Sequence, residues 1–356
     1  MHLLKLKIQN LRNIKSAEIF PKPKVNIILG KNGAGKTTLL ESIYLLARAK
    51  SFRQSQNRNL ISENESELII YSEIIRDDSS LNRIGLSKKK EKTTVRKDGK
   101  KIIRLSDLAS TIPLTIITPN IQRIVEEGPA HRRKLLNWGL FHVEQSYGEM
   151  ALRYKKTIDQ RNSALRKNRK ELPIWTKQLA VIGEELNQLQ KSYLKKWNNC
   201  LNELSENQSL GSQYRLEMQN GWKKGLSLLQ ALEDQTNSDL ERGFTTPGPH
   251  RLDIKITVED RLTKNFFSRG QNKILALNMM LAQTMLLKRD KKESPIILVD
   301  DFQSELDRDH YEQVQNQISD LNVQTFITSL TKENAKFFKR EEIGMFHVEH
   351  GIIKEC

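Results

Sequence analysis

The stretch VNIILGKNGAGKTTLLESIYLLARA, residues 25–49, decides the fold class of this chain. It begins with a near-continuous apolar run, which predicts a strand buried on both faces of a sheet. It ends with apolar residues at helical spacing, which predict a helix. The glycine-rich segment between them, residues 30–37, fits the pattern G-x-x-x-x-G-K-[ST] in full. Strand, glycine loop and helix therefore follow one another as in a phosphate-binding loop, and they indicate an α/β fold.

This loop predicts a site for ATP and Mg²⁺. The glycines let backbone N–H groups surround the phosphates, Lys36 should reach the β- and γ-phosphate oxygens, and Thr37 should bind Mg²⁺. A chance glycine-rich turn is the alternative, and the flanking strand and helix disfavour it. ATP is the expected nucleotide because no GTP-type base-reading motif stands out. The expected nucleotide-binding residues of the loop are Gly30, Lys31, Asn32, Gly33, Ala34, Gly35, Lys36, Thr37 and Thr38.

Two acidic residues close a second apolar strand. Residues 296–299 are apolar, and Asp300 and Asp301 follow where the strand would emerge at its carboxyl end. Ligands bind at that end in open α/β sheets. We expect Asp300 to hold Mg²⁺ through its water shell, together with Thr37, and Asp301 to polarise the attacking water. Taken alone, such a pair is more often a loop cap, but the phosphate-binding loop favours the catalytic interpretation.

A polar turn interrupts the apolar stretch FFSRGQNKILAL, residues 266–277. The hydroxyl, the backbone N–H groups and the helix N-terminus of such a turn suit an anion such as a terminal phosphate. The alternative is that Ser268 merely caps the following helix, a role that is compatible with a phosphate contact. The residues of the turn are Ser268, Arg269, Gly270 and Gln271.

The remaining signals divide the chain into two lobes. Long polar helices are expected between about residues 120 and 240, where strand signals are few. Strand signals occur at residues 2–9, 67–77, 93–103, 251–260 and 324–330. Within 93–103, Asp98-Gly99 favours a hairpin with a two-residue turn. We expect a mixed α/β ATPase lobe, residues 1–118 and 245–356, split by a mainly helical insertion lobe, residues 119–244.

Basic charge is concentrated in two windows. Of a formal net charge of +16, residues 87–104 and residues 153–177 carry +7 each. A localised basic surface favours a polyanion partner, here single- or double-stranded DNA, whereas a solvated face is the alternative for any one run. The expected DNA contacts are Lys88, Lys89, Lys90, Lys100, Lys101, Arg166, Lys167, Arg169 and Lys170.

Other classes of protein find little support. The two cysteines, Cys200 and Cys356, form no C-x-x-C pair, so neither a disulfide framework nor a zinc site is expected. No apolar run approaches the length of a membrane span, and the first residues lack a leader-like apolar core. A cytoplasmic protein is therefore expected. His142 and His250 lack metal-site spacing, and for Arg132-Arg133 a phosphate contact and an ion pair are equally plausible.

The order of the motifs resembles that of ABC-type ATPases. The phosphate-binding loop comes first, then S-x-G-Q, then the acidic strand end, and then SELD at residues 304–307. Within that superfamily, residues 125–166, with HRRKLLNWGLFHVE at 131–144, resemble the RecF family. The blocks NLRNI, AKSFR, GPHRLDI and LVDDFQSELD resemble it too. Asn137, Met150 and Phe267 depart from the family pattern, but none of them removes a group that the nucleotide chemistry needs.

This resemblance implies an ABC-type head and a role in recombinational repair at single-strand DNA gaps. It implies that the S-x-G-Q turn caps the γ-phosphate bound to a second subunit, which gives an ATP-dependent homodimer. It also implies that Arg12 touches phosphate and that a weak, DNA-stimulated ATP hydrolysis acts as a switch. RecR and RecO are the implied partners, which help to place RecA on DNA. The implied D-loop residues are Ser304, Glu305, Leu306 and Asp307.

Two alternatives share these motifs. The ATPase subunit of a membrane transporter has the same loop, turn and acidic strand end. In this chain, however, Lys36 and Ser268 lie 232 residues apart, about twice the separation expected in a transporter cassette. A structural protein of the SMC type would need hundreds of residues of heptad repeats, and the helical insertion is too short for them.

Overall fold

The computed structural model describes residues 1–53, 60–206, 213–301, 308–331 and 343–356. The strands are β1 His2–Leu11, β2 Ile14–Ile19, β3 Val25–Leu29, β4 Glu67–Ile75, β5 Leu81–Lys89, β6 Thr93–Lys97, β7 Lys100–Lys101, β8 Leu114–Ile117, β9 Tyr214–Gln219, β10 Asp253–Val258, β11 Arg261–Leu262, β12 Ile296–Val299, β13 Thr325–Ser329, β14 Ile343–Glu349 and β15 Ile352–Glu355. The α-helices are α1 Lys36–Arg48, α2 Leu105–Thr111, α3 Arg123–Glu126, α4 Pro129–Val143, α5 Tyr147–Lys167, α6 Leu172–Glu206, α7 Leu228–Asp234, α8 Thr236–Arg242, α9 Arg269–Lys291 and α10 Arg308–Leu321. None of the helices in the described ranges is long and apolar enough to cross a lipid bilayer.

These elements form two compact units, Met1–Ile121 with Leu287–Cys356, and Gln122–Leu286. The first unit is built on a mixed sheet with the strand order β15-β14-β3-β13-β12-β8. Its strands are parallel except β15, which runs antiparallel to β14. β3 and β12 are buried along their whole length, as the near-continuous apolar sequence of β3 and the continuous apolar sequence of β12 predict. Because β3, β13 and β12 are parallel neighbours, their carboxyl ends lie at one edge of the sheet.

A second, antiparallel sheet completes the first unit, with the order β2-β1-β4-β5-β6-β7. Alternation along β1 and β4 turns Leu6 and Ile70 into a core that also contains Leu39 of α1 and Leu298 of β12. The side chains between them point to the other face of the sheet. One face therefore helps to build the core of the unit, and the opposite face is mainly polar, with Ile69 and Leu81 also exposed there.

The predicted hairpin forms between β6 and β7. Its central residues, Asp98 and Gly99, have φ angles of 49° and 80°. Positive φ at both positions is the geometry of a type I′ turn, which matches the twist of the flanking strands and favours glycine at the second position. The Asp98-Gly99 signal is thus confirmed.

Long helices dominate the second unit, as expected from the sequence. α5 is joined to α8 by an ion pair between Arg161 and Asp239, at 2.7 Å, in which neither side chain has exposed surface. Thr176 and Thr245 also bind the Arg161 guanidinium, at 3.1 and 2.8 Å, so the buried charge is well hydrogen-bonded. The unit also contains the antiparallel sheet β11-β10-β9, whose strand β9 was missed by the sequence analysis.

The expected lobe boundaries stay a prediction, and the compact units differ from them chiefly at the second boundary. The second unit continues to Leu286, whereas the insertion lobe was expected to end at residue 244. Two contacts account for this difference. β10 pairs with β9 over six residue pairs, and the indole of Trp197 donates a hydrogen bond to the Met279 carbonyl at 2.8 Å. The chain beyond residue 244 therefore packs with the helices that precede it.

Candidate nucleotide-binding site

The glycine-rich loop joins β3 to α1 at the carboxyl edge of the mixed sheet. Gly33 and Gly35 have φ angles of 78° and 119°, in the region that favours glycine. A Cβ atom on Gly35 would lie 2.9 Å from the amide nitrogen of Asn13, so the loop needs a residue without a side chain there. The pattern G-x-x-x-x-G-K-[ST] thus reflects backbone geometry at this turn.

Lys36 begins α1 and directs its ammonium group back toward the loop. Its Nζ donates hydrogen bonds to the carbonyls of Gly30 at 2.7 Å and Lys31 at 3.1 Å. Burial lowers the pKa of Lys36, whereas the nearby carboxylates of Asp301 and Asp300 raise it. The loop therefore holds a desolvated cation beside its own backbone, as the binding of a phosphate group requires.

Thr37 and Asp300 meet although 263 residues separate them in sequence. The Thr37 hydroxyl donates a hydrogen bond to Asp300 Oδ1 at 2.9 Å, and the Thr328 hydroxyl donates to the same oxygen at 3.2 Å. Burial raises the pKa of Asp300, whereas these two hydrogen bonds and the positive charge of Arg53 lower it. A hydroxyl and a carboxylate side by side are oxygen ligands of the type that Mg²⁺ prefers. The residues present therefore fit the expected metal.

Asp301 follows with a φ of 43° and is fixed through its backbone. Its N–H donates a hydrogen bond to the Thr328 hydroxyl at 2.8 Å. Aspartate is one of the few residue types other than glycine that adopt this left-handed conformation readily. The hydroxyl at the end of β13 thus contacts both acidic residues at the end of β12.

The residues of the loop and the two acids surround one cavity of about 330 Å³, formed within the first unit. Gly30 and Ala34 do not line it, but their carbonyls accept hydrogen bonds from Lys36 and Asn13, which do. The residues that line the cavity are Arg12, Asn13, Lys31, Asn32, Gly33, Gly35, Lys36, Thr37, Thr38, Arg53, Asp300, Asp301 and Thr328.

Three of these residues were not singled out from the sequence. Asn13 donates to the Ala34 carbonyl at 2.9 Å and accepts from the Thr38 hydroxyl at 3.2 Å, so it links the middle of the loop to the first turn of α1. Arg53 lies near Asp300, and Thr328 contacts it directly. Asn13 and Arg53 belong to the blocks NLRNI and AKSFR, so the resemblance carried a signal for them. For Thr328, the signal was its place at the carboxyl end of a predicted strand.

Arg12 lines the cavity and forms an ion pair within the protein. Its guanidinium donates to both carboxylate oxygens of Glu41, at 2.5 and 3.0 Å, and Glu41 has no exposed surface. The Ser51 hydroxyl donates to the same carboxylate. This pair ties the end of β1 to α1. The phosphate contact of Arg12 stays a prediction.

The S-x-G-Q turn lies in the second unit, at the start of α9. The Gln271 N–H donates to the Ser268 hydroxyl at 3.2 Å, and the Ser268 N–H donates to the Gln271 side-chain oxygen at 2.8 Å. This reciprocal pair is a capping box, so Ser268 does cap the helix. Ser268 and Arg269 are exposed, and Gly270 is half-buried. The turn is therefore accessible, and its phosphate contact stays a prediction. The implied D-loop, residues 304–307, lies outside the described residues.

The first basic window is divided between a buried and an exposed face. Lys89, Lys90, Lys100 and Lys101 are exposed. Lys88 is buried, and its ammonium donates a hydrogen bond to the Thr93 hydroxyl at 3.1 Å. Alternation along β5 turns Lys88 inward, and burial lowers its pKa. Lys88 is therefore not available as a surface contact for DNA, contrary to expectation.

The second basic window carries an exposed cluster at the end of α5. Arg166, Lys167, Arg169 and Lys170 are all exposed, and Arg166 donates a hydrogen bond to the Gly243 carbonyl at 3.2 Å. Arg161 belongs to the same window but is buried against Asp239. The accessible charge of the window is thus smaller than the sequence count suggests, because Arg161 is buried.

The other candidate residues have structural contacts. Arg132 forms a bidentate ion pair with Asp253, at 2.7 and 3.0 Å, which is the second of the two possibilities considered. His250 accepts or donates a hydrogen bond with the Tyr154 hydroxyl at 2.7 Å. Burial lowers the pKa of His250 to about 4, so its ring is neutral at physiological pH. No cluster of potential metal-binding side chains occurs among the residues that the structure describes.

Known proteins resemble this chain over its whole length. The family model described as RecF/RecN/SMC N terminal domain matches residues 2–354. The DNA replication and repair protein RecF of Pseudoalteromonas translucida (strain TAC 125) is 34% identical over 360 residues, with 99% of each chain covered.

Solved structures show the same likeness. The structure of the recombination mediator protein RecF-ATP in the RecFOR pathway aligns with a TM-score of 0.87 and 26% identity, over 100% of this chain and 97% of that one. An SmcHead bound to the C-winged helix domain of ScpA aligns with a TM-score of 0.61 and 16% identity, over 100% and 97% of the two chains, and supports the fold alone. Likeness along the whole chain, including the second unit, does not favour the transporter alternative.

Proposed function

Because the chain belongs to the RecF family, we propose that it is an ATP-dependent DNA-binding protein of recombinational DNA repair. The contact between the Thr37 hydroxyl and Asp300, at 2.9 Å, carries the nucleotide part of this proposal. It joins the phosphate-binding loop to the acidic strand end, the two parts that a P-loop ATPase needs to hold Mg²⁺ with ATP.

In this proposal each side chain of the cavity has a separate task. Lys36 leaves the loop carbonyls and pairs with the β- and γ-phosphates. Thr37 and Asp300 hold Mg²⁺, which neutralises charge on the phosphate oxygens when it is bound. Asp301 accepts a hydrogen bond from the attacking water and orients it toward the γ-phosphate. Hydrolysis is slow and DNA-stimulated, and acts as a switch between two states of assembly.

The exposed turn at Ser268 completes the ATP site of a second copy of the chain. In a two-fold dimer, each of the two sites then combines one subunit's loop with the other subunit's turn. The exposed lysines and arginines of the two basic windows bind the DNA backbone, whereas the buried Lys88 does not. By family resemblance, RecR and RecO are the partners, and the complex helps to place RecA at single-strand gaps in the cytoplasm.

Measurement of the particle mass with and without ATP, and then with DNA, tests the proposal. Wild-type protein should be monomeric without ATP and dimeric with it. Lys36→Met should stay monomeric in both conditions, because it removes the cation that binds phosphate. A wild-type chain whose mass is insensitive to ATP would contradict ATP-driven pairing.

Ser268→Asp provides a sharper variant, because aspartate is as good a helix cap as serine. It should therefore keep the helix and the nucleotide affinity of its own loop. Its carboxylate should nevertheless repel the partner's γ-phosphate and prevent the dimer. If Ser268→Asp dimerises like wild type, the turn acts only as a helix cap.

Mixing two inactive variants tests the shared geometry. In a heterodimer of Ser268→Asp and Lys36→Met subunits, one site carries both changes and the other carries neither. Partial ATPase activity should return. If heterodimers form and stay inactive, either both sites must act together or the turn serves its own subunit.

DNA retention on filters separates this function from that of a transporter subunit. Retention of a DNA duplex should increase with ATP, and Lys36→Met should lose that increase. A transporter ATPase subunit would retain no DNA in response to ATP.

A further inference from the structure

The polar face of the antiparallel sheet carries an ordered row of side chains. Paired residues on neighbouring strands face the same side of a sheet. In the register of β1, β4, β5, β6 and β7, Lys7 lies opposite Tyr71, Tyr71 opposite Gly85, Gly85 opposite Arg96, and Arg96 opposite Lys101. We call Lys7, Tyr71, Gly85, Arg96 and Lys101 the outer row. It crosses five strands with an aromatic ring near its centre.

The ring of Tyr71 stands beside an open space. Its hydroxyl donates a hydrogen bond to Glu73 at 2.8 Å, so the ring leans along β4. A Cβ atom built on Gly85 meets no atom within 4 Å, so no side chain covers the neighbouring position on β5. Glycine inside a strand often marks a place where another molecule approaches closely. The sheet therefore has a shallow depression next to an aromatic face.

Cations surround this depression. Arg83, Arg96 and Lys101 are exposed, and in the described part of the chain none of them forms an ion pair. Burial and the hydrogen bond to Glu73 raise the pKa of the Tyr71 phenol, and the nearby charge of Arg83 acts in the opposite direction. On the other side, Lys5 and Lys7 share the single carboxylate of Glu18, at 2.8 and 3.2 Å. The face thus has an excess of positive charge around one ring.

A second ring lies just after the end of β2. Phe20 is 52% exposed, and the Lys5 ammonium lies 5.2 Å from its ring centre. Exposed aromatic rings with cations beside them are the combination on which bases and phosphates of single-stranded nucleic acid bind.

We propose that the outer row is a platform for single-stranded DNA, with one base stacked on Tyr71 in the depression at Gly85. Arg96, Lys101 and the neighbouring Arg83 bind the phosphates on either side of that base. The platform rests on the proposed DNA-binding function and assigns one strand state to one surface. It is distinct from the exposed basic cluster at the end of α5.

The chemistry favours a single strand over a duplex. In a duplex the faces of the bases are covered by their neighbours in the stack, so Tyr71 would have no surface to contact. An unpaired base exposes its face, and any of the four bases can stack. The platform should therefore bind single strands with little sequence preference, and its stacking contribution should persist where salt weakens the phosphate contacts.

Fluorescence anisotropy with a labelled 30-nucleotide oligo-dT, and with a duplex of the same length, tests this inference on the full chain with ATP. Tyr71→Ala should weaken oligo-dT binding about 5- to 150-fold, the range found when one stacking ring is removed. It should leave duplex binding within about twofold of wild type. Tyr71→Phe keeps the ring and should bind oligo-dT like wild type.

Gly85→Val is a second variant that should weaken binding without loss of folding. Nothing lies within 4 Å of the new Cβ, and valine favours strands, so the thermal midpoint should not fall. The side chain nevertheless fills the depression and should weaken oligo-dT binding. Phe244→Ala is the matched control, since Phe244 is a 40% exposed ring in the second unit with Arg251 over it. It should leave oligo-dT binding unchanged.

The possible results separate the two proposals. If wild-type protein binds neither DNA with ATP, the proposed function and the platform both fail. If the duplex binds but Tyr71→Ala and Gly85→Val bind oligo-dT like wild type, only the platform fails, and the face serves another partner such as an acidic protein. Equal losses on duplex and oligo-dT would also overturn it, because they would indicate a general electrostatic or folding effect.

Discussion

Replacement of Arg12 by alanine should lower the free energy of unfolding of the first unit by about 3–5 kcal/mol, the usual cost of breaking a buried ion pair. Glu41 has no exposed surface, and the Arg12 guanidinium supplies two of its hydrogen bonds, at 2.5 and 3.0 Å. Without Arg12, the buried carboxylate keeps the Ser51 hydroxyl but loses its cation. The free energy of unfolding decreases because the Glu41 carboxylate stays buried without a cation.

This loss should be visible as a shift in thermal unfolding without nucleotide. For a folding unit of about 150–250 residues, each kcal/mol shifts the midpoint by roughly 2–4 °C, so the expected decrease is roughly 6–20 °C. The measurement is differential scanning calorimetry, with urea unfolding as a second method. A decrease in unfolding free energy below about 1 kcal/mol would refute the buried-pair argument.

A double variant then separates the structural role of Arg12 from a direct phosphate contact. Arg12→Met with Glu41→Leu removes both charges and fills the space with apolar groups, which is often neutral or stabilising. Its stability should return to within about 1 kcal/mol of wild type. If the folded double variant binds ATP as wild type does, Arg12 acts only through Glu41. A loss of about tenfold or more would instead support the phosphate contact that the resemblance implies.

Other parts of the molecule give three further predictions. Asp301→Asn should bind ATP without hydrolysing it, so the dimer should persist after ATP is added. Gel filtration after ATP addition measures this. Dissociation at the wild-type rate would show that hydrolysis is not the step that releases the dimer. Burial lowers the pKa of His250 to about 4, so its neutral ring contributes stability that is present above about pH 6.5 and lost as the pH falls through about 4. The difference in unfolding free energy between wild type and His250→Gln, measured by urea unfolding, should therefore change over this pH range. A constant difference would contradict the shift. Lys100→Glu and Lys170→Glu should each weaken DNA binding and reduce the slope of log affinity against log salt by about one unit; unchanged slopes would indicate solvated faces.

The elements formed by residues 25–49, and the hairpin at Asp98-Gly99, could be predicted because their sequence signals are local. A buried strand needs a continuous apolar run, a phosphate loop needs glycine where φ is positive, and the hairpin at Asp98-Gly99 needs positive φ at both turn residues. Each requirement restricts the residue at one position, so it can be read from the sequence without knowledge of the rest of the chain.

The differences arise where a distant partner decides the outcome. Lys88 looks like any other lysine of its basic window, and only the pairing of β5 with β4 and β6 turns it into the sheet. Arg161 also counts as a basic residue in the sequence, but it forms a buried ion pair with Asp239, which lies 78 residues further along the chain. Charge counts therefore overstate an accessible surface whenever a strand face or a buried ion pair removes some of the cations.

The nucleotide site has features that local sequence specifies and features that distant parts of the chain decide. Parallel strands place their carboxyl ends at one edge, so the approach of Asp300 to the phosphate loop could be expected from two predicted strands alone. That β13 lies between β3 and β12 could not, because no local signal specifies strand order. This order places Thr328 beside Asp300 and beneath the backbone N–H of Asp301. The hydroxyl therefore couples the expected metal ligand, Asp300, to Asp301, the residue expected to orient the attacking water, so a change at the end of β13 should disturb both aspartates together.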